Sequence, residues 1–138
     1  MILVDTNVIS EPARRAPSPR VLGFLAQHPV VALSVISVLE LEAGVESAPP
    51  SKRARLAAWL DALLTSGAVD IIPIDASIAR TAGRMRNQLK NRPIALEDLL
   101  IGATALSRGM PLATRNTGHF ERMGVALLNP FGKPGPRK

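Results

Sequence analysis

The chain has 138 residues, of which 46% are hydrophobic and 20% are charged, and its formal net charge at pH 7 is +6. This length and composition predict one soluble globular domain with a real core, and the absence of cysteine excludes disulfides and thiolate metal sites. The longest apolar stretch is interrupted by serines and ends at Glu40, which argues against a membrane span; no signal peptide is visible, and we expect a cytoplasmic protein.

Five short apolar runs predict β-strands. The first is apolar throughout and stops at Asp5, which is typical of a strand buried on both faces of a sheet. The predicted strands are Ile2 to Val4, Val30 to Leu33, Ile71-Ile72, Pro111 to Ala113 and Ala126 to Leu128.

Segments with helical spacing lie between these strands. Their predicted N-caps are Ser18, either Ser34 or Ser37, Ser51 and Asp75, and the pair Glu97-Asp98 opens the last long helix before Gly109. Strands that alternate with helices predict an α/β/α domain around a central parallel sheet. We assign residues 1–131 to this domain and residues 132–138 to a basic, disordered tail.

The positive charge favours a polyanionic partner, usually nucleic acid, although the tail supplies three of the six charges. Aromatic residues are scarce: the chain has one Trp, three Phe and no Tyr. This composition argues against a platform on which bases stack. We therefore expect any RNA contact to be made mainly through phosphates.

Several acids lie near predicted strand ends or helix starts, and ligands of open α/β sheets bind at the carboxyl ends of the strands. The main candidates are Asp5, Glu40 and Asp98, and the lesser ones are Glu42, Asp75 and Glu97. A helix cap that complements the helix dipole explains Asp75 well. Glu40 is harder to explain in this way because it interrupts an apolar run. Spacing alone leaves the choice open between Glu40 and Glu42, and between Asp98 and Glu97.

Clustered carboxylates repel one another, so a fold that gathers them usually neutralises them with a hard cation. Mg²⁺ and Mn²⁺ prefer oxygen ligands and keep several waters. Such an ion lowers the pKa of a bound water and stabilises the charge that forms in phosphodiester cleavage. A metal site therefore requires that these acids converge in space.

Five motifs, in the same order and over nearly the whole chain, resemble those of the PIN-domain ribonucleases, in particular the VapC and FitB-like toxins of type II toxin–antitoxin systems. They are V-D-T-N-V-I-S-E at 4–11, S-V-L-E-L-E-A-G at 37–44, D-L-L-I-G-A-T-A at 98–105, T-R-N-T-G-H-F at 114–120 and N-P-F at 129–131.

This resemblance implies that Asp5, Glu40 and Asp98 are the catalytic acids and the ligands of Mg²⁺, for which Mn²⁺ can substitute. It favours Glu40 over Glu42 and Asp98 over Glu97, because the first of each pair matches the motif. It also implies a sheet with strand order 3-2-1-4-5, in which the first strand is central.

The chain departs from the family pattern at Asn116, where many members have a fourth acid. An amide can offer a carbonyl oxygen or hold a metal-bound water, but it adds no negative charge. The number of metal ions, one or two, is therefore open. His119 in the same loop is a minor candidate for a proton shuttle.

Other polar residues of the motifs have expected supporting roles. Thr6, Asn7 and Thr114 are candidates to orient the acids through hydrogen bonds. Candidates for contacts with RNA phosphates are Arg115, Arg14 and Arg15.

The leading hypothesis is thus an Mg²⁺-dependent endoribonuclease toxin that cleaves RNA by a metal-activated water. The resemblance implies a VapB/FitA-like antitoxin partner that places a C-terminal segment across the active site, and a homodimer or a heteromeric toxin–antitoxin complex. Promoter DNA would be bound only through the antitoxin. Two alternatives are a catalytically weak module that acts through complex formation and repression, and a phosphatase with an aspartyl nucleophile. The phosphatase fits less well because Asn7 stands where such enzymes commonly have an acid.

Overall fold

The computed structural model describes residues 1–132, and its five strands form one parallel sheet in the order β3-β2-β1-β4-β5. The strands are β1 (Leu3–Val4), β2 (Val31–Ser34), β3 (Val69–Ile72), β4 (Leu112–Ala113) and β5 (Leu127–Leu128). The predicted parallel sheet and its strand order are confirmed. The predicted basic tail lies outside the described residues except for Gly132, whose N–H donates to the carbonyl of Asn129.

Seven α-helices and two short 3-10 turns connect the strands in the part of the chain that is described. The helices are α1 (Thr6–Ile9), α2 (Pro19–Gln27), α3 (Val35–Ser47), α4 (Pro50–Thr65), α5 (Ala76–Gln88), α6 (Leu96–Arg108) and α7 (Thr117–Phe120). The 3-10 turns are Glu11–Ala13 and Glu121–Met123. None of the helices within residues 1–132 has both the length and the apolar character needed to cross a bilayer.

Most predicted helix boundaries are observed. Ser18 and Asp75 accept N–H hydrogen bonds as N-caps, and Ser34 rather than Ser37 caps α3. Gly109, with φ of 63°, ends α6 in the left-handed region that glycine adopts without strain. The prediction that Ser51 caps α4 is wrong, because this helix already begins at Pro50, whose fixed φ suits the first helical position.

Strand β1 lies at the centre of the sheet, paired with β2 on one side and β4 on the other. Its two residues are fully buried, and they point to opposite faces of the sheet. Leu3 packs into a core with α5 and α6, whereas Val4 packs into a second core with α1, α2, α3 and α4. The two cores make the domain a three-layer α/β/α structure.

Candidate metal centre

Asp5 follows β1 directly and is only 5% exposed. Its Oδ1 accepts the Thr6 N–H at 2.8 Å, and its Oδ2 accepts the Thr114 hydroxyl at 2.7 Å and the Asn7 side-chain amide at 3.3 Å. Burial raises the pKa of Asp5 above its ordinary value, and the charge of Asp98 adds to this effect, while the hydrogen bonds from Thr114, Thr6 and Asn7 oppose it. The carboxylate is therefore held in a fixed orientation at the end of the central strand.

Glu40 lies half-buried on α3 and reaches the segment that follows Asp5. Its Oε1 is 2.7 Å from Thr6 Oγ1, which is also 2.8 Å from Ser37 Oγ. A hydroxyl has one proton, so Thr6 donates to the carboxylate and accepts from Ser37. Burial is the main cause that raises the pKa of Glu40, and Thr6 opposes it. The charges of Asp5, Asp98 and Glu97 raise this pKa further.

Asp98 lies in the first turn of α6, and its Oδ2 is 3.0 Å from Nδ1 of His119. The contact depends on close packing one turn further along the same helix face. There Gly102 lies against Met123 and Phe120, and a Cβ at this position would collide with the Met123 sulfur. The glycine thus lets the segment after β4 approach α6 and brings His119 to Asp98.

Two side chains fasten the loop after β4 to the acids. Asn7 uses its amide nitrogen for Asp5 and its Oδ1 to accept the Arg115 N–H at 3.1 Å. Thr114 donates to Asp5 and accepts the Asn116 N–H at 3.0 Å. The side chain of Asn116 is exposed and makes no hydrogen bond to the acids among the described residues.

The structure brings Asp5, Glu40 and Asp98 close enough for their charges to act on one another, whereas Glu42 and Asp75 are exposed elsewhere. Within residues 1–132 no Lys or Arg forms an ion pair with any of the three acids, and Asp75 pairs with Arg108. Sequence reasoning missed two contributors. Ser37 had been considered only as a helix cap, and the contact of His119 with Asp98 depends on packing that no local pattern reveals.

The donor set consists of carboxylate oxygens, which suit a hard divalent cation in type and charge. In the described part of the chain, however, no three acidic or histidine side chains are already gathered at metal-ligating positions. Glu40 instead bonds to Thr6, and Asp98 bonds to His119. Mg²⁺ or Mn²⁺ therefore fits the chemistry of the residues, and binding would draw these side chains away from their present partners.

A polar cleft of about 360 Å³ adjoins Asn7 and is lined by the arginines Arg14 and Arg115 together with Glu11 and Phe131; we call it the Arg14–Arg115 cleft. The guanidinium of Arg115 lies 4.4 Å above the centre of the Phe131 ring, a cation–π contact that orients it. Glu11 is 5% exposed and accepts the N–H of Ser18, a role that sequence reasoning did not identify.

Arg15 is exposed and does not line the Arg14–Arg115 cleft. A second, mostly apolar groove of about 350 Å³ runs between α3 and α4, and we call it the Trp59 groove. Its walls include Leu41, Val45, Leu56 and Trp59, and its polar end is formed by Thr6 and Glu40. Apolar surface therefore continues directly into the acidic site.

Comparison with known proteins gives a family match over most of the chain. The PIN domain model matches residues 2–126. The toxin FitB of Neisseria gonorrhoeae is 37% identical over 137 residues, which cover 95% of this chain and 99% of FitB. The ribonuclease VapC10 of Mycobacterium tuberculosis is 37% identical over 140 residues, which cover 99% of this chain and 98% of VapC10.

Solved structures show the same fold. The crystal structure of FitAcB from Neisseria gonorrhoeae superposes with a TM-score of 0.83 and 38% identity, covering 95% of this chain and 99% of that one. The structure of FitAB bound to the IR36 DNA fragment has a TM-score of 0.80 and 34% identity, covering 99% of this chain and all of that one.

Proposed function

The chain belongs to the PIN-domain family, and from this we propose that it is a metal-dependent endoribonuclease and the toxin of a type II toxin–antitoxin pair. The family resemblance that five sequence motifs indicated is confirmed. Relatives named as a ribonuclease and as a toxin, each matched over nearly its whole length, support both parts of the proposal. Since RNA is the proposed substrate, we place its action in the cytoplasm.

One observation carries the proposal: Asp5, Glu40 and Asp98 repel one another, and no arginine or lysine among residues 1–132 pairs with them. An acidic cluster of this kind is costly unless a cation neutralises it. We propose that the three carboxylates hold Mg²⁺, with Mn²⁺ as a substitute. Because Asn116 adds no charge, we assign one ion.

When bound, the ion supplies Lewis-acid chemistry: it lowers the pKa of water and stabilises negative charge on the phosphate. The residues of the chain prepare this site. Thr114 and Asn7 fix the orientation of Asp5, and Thr6 fixes that of Glu40. Hydrolysis by in-line attack at phosphorus breaks the bond to the 3′ oxygen of the RNA.

The substrate phosphates also need positive partners. Arg115 is oriented by Phe131 and shares a cleft with Arg14, so these two arginines are placed to bind RNA phosphates close to Asp5. Arg15 lies outside this cleft, and we assign it no more than a general contribution to the positive charge.

The proposed partner is a small antitoxin. Both FitAcB and FitAB are structures of toxin–antitoxin complexes, and FitAB is bound to DNA. The Trp59 groove suits an apolar segment of such a partner, and a basic side chain at its end would meet Glu40. We assign promoter binding to the antitoxin, and a homodimer of the toxin remains a prediction.

The decisive experiment measures cleavage of RNA by the purified chain in Mg²⁺, in Mn²⁺ and in EDTA. We expect cleavage with either metal, none in EDTA, and recovery when metal is added back. Calorimetric titration with Mn²⁺ should detect binding to the wild type and not to Asp5→Asn. Metal-independent cleavage would contradict the proposed site.

A second candidate function is a catalytically weak module that acts by complex formation, and the absence of a fourth acid at Asn116 favours it. Antitoxin binding without metal-dependent cleavage would support this function instead. A trapped phospho-aspartate at Asp5 would support the phosphatase.

A further inference from the structure

A third cleft opens on the other side of the acids from Asn7. It has a volume of about 340 Å³ and lies between the segment before α6 and the segment of α7 and the following 3-10 turn. Two of its lining residues, Asp98 and His119, belong to the candidate metal centre. Its positive lining residues are Arg92 and Arg122, and we call it the Arg92–Arg122 cleft. No sequence motif indicated it.

Arg92 and Arg122 are both exposed, and neither forms an ion pair within the described residues, although Glu121 also lines the cleft. An arginine without a protein partner is well suited to bind phosphate, since its planar guanidinium can donate two parallel hydrogen bonds. The volume of the cleft lies at the lower end of the range of about 300–1,000 Å³ typical of small-ligand sites. A nucleotide is therefore of a suitable size and charge.

The two arginine clefts share no lining residue, and each adjoins a different acid. The Arg14–Arg115 cleft is joined to Asp5 through Asn7, whereas Asp98 itself lines the Arg92–Arg122 cleft. A polyanion that crosses the acids would meet positive charge before and after them. This arrangement suits an extended strand better than an isolated nucleotide.

We propose that the Arg92–Arg122 cleft binds the phosphate backbone of single-stranded RNA next to the scissile bond, and that the strand continues over the acids to the Arg14–Arg115 cleft. This inference rests on the proposed ribonuclease function and adds the path of the substrate. The cleft offers guanidinium groups and no aromatic platform apart from His119, so it recognises the backbone and not a particular base.

The test compares two double variants that each remove two positive charges. Arg92→Gln/Arg122→Gln changes the cleft, and Arg80→Gln/Arg84→Gln changes two exposed residues in the first half of α5. The ion pair of Asp75 with Arg108 places the start of α5 beside the end of α6. Asp98 lies at the other end of α6, about 15 Å away at a rise of about 1.5 Å per residue, so the second variant is a distant control.

Binding is measured by fluorescence anisotropy with a labelled single-stranded RNA, in Ca²⁺ or EDTA to prevent cleavage, at several salt concentrations. We expect the cleft variant to bind about tenfold more weakly than the control variant. The slope of log affinity against log salt should fall by about 1 to 1.5 for two lost phosphate contacts. Arg92→Lys/Arg122→Lys should recover most of the affinity. In Mg²⁺, the cleft variant should show a raised KM with little change in kcat.

Equal RNA affinity of the cleft and control variants would overturn the proposal, and so would an effect on antitoxin binding alone, which would reassign the cleft to a protein partner. Failure of the wild type to bind RNA would also overturn it. RNA binding that depends on the cleft, without metal-dependent cleavage, would support the cleft and contradict the nuclease function. Melting temperatures of both variants show whether they are folded.

Discussion

The hydroxyl of Thr114 donates to Oδ2 of Asp5 at 2.7 Å, although the two residues are 109 positions apart in the chain. Thr114 and Asp5 follow the adjacent parallel strands β4 and β1, and both are buried. The hydrogen bond fixes the carboxylate and ties the loop after β4 to it. Much of the geometry of the candidate centre depends on this contact.

Removal of the Thr114 hydroxyl should weaken metal binding without unfolding the domain. Hydrogen bonds that orient a metal ligand typically contribute 10- to 100-fold in affinity, so we expect a loss of about this size in Thr114→Val. Titration calorimetry with Mn²⁺ measures it. Thr114→Ser retains the donor and should bind nearly as well as the wild type, whereas equal losses in both variants would point to a packing effect.

Asp5→Asn should abolish RNA cleavage while the protein stays folded. It removes a negative ligand and keeps the shape of the side chain, and a loss of several kcal/mol in stabilisation of the transition state corresponds to a rate reduction of at least about 100-fold. The matched control is Asp61→Asn, which changes an exposed acid on α4 and should leave the rate unchanged. Retained activity in purified Asp5→Asn would reject the site.

Glu40 and Glu42 offer a second matched pair, since both lie on α3 but only Glu40 reaches Thr6. Bound ligand at about 100 times its Kd stabilises a protein by about 2.7 kcal/mol. We expect Mn²⁺ to raise the melting temperature of the wild type and of Glu42→Gln by several degrees. The rise should be much smaller in Glu40→Gln. A reversal of the two variants would assign the ligand to Glu42.

The raised pKa values of Asp5 and Glu40 predict a pH effect on the stability of the metal-free protein. Their ordinary values are 3.8 and 4.5, and burial raises both in the folded state. Above the ordinary values the folded protein therefore binds more protons than the unfolded chain. The free energy of unfolding should fall as the pH rises through the interval up to the raised pKa values.

Urea denaturation in EDTA between pH 4 and pH 8 tests this effect for Glu40. The wild type should lose stability relative to Glu40→Gln as the pH rises, because only the wild type must ionise a half-buried carboxyl group in the folded state. A difference between the two proteins that is constant with pH, or that grows in favour of the wild type, would contradict the prediction.

Trp59 can report directly on the occupant of the groove between α3 and α4. It is the only tryptophan in the chain, and there is no tyrosine, so its emission is not obscured. We expect a blue shift when a C-terminal antitoxin peptide binds, because the peptide would exclude water from a half-buried indole. Complex formation without any change in emission would place the peptide elsewhere.

The sequence by itself determined the fold to a large extent, because the signals for it are local. An apolar run that ends at Asp5 predicts a central strand, and Ser18, Asp75 and Gly109 mark helix boundaries through hydrogen bonds or backbone conformations only a few residues long. Such patterns are independent of the rest of the chain. The boundary at Pro50 was misjudged because serine and proline are both common at helix starts.

Only the tertiary structure decided which side chains meet at the acids. The contacts of Ser37 with Thr6, of His119 with Asp98 and of Thr114 with Asp5 join residues between 21 and 109 positions apart. The pairing of Arg92 with Arg122 across a cleft likewise depends on how α7 and the following turn pack on α6 at Gly102. Contacts of this kind arise from the packing of whole elements, and no periodicity or spacing along the chain encodes them one residue at a time.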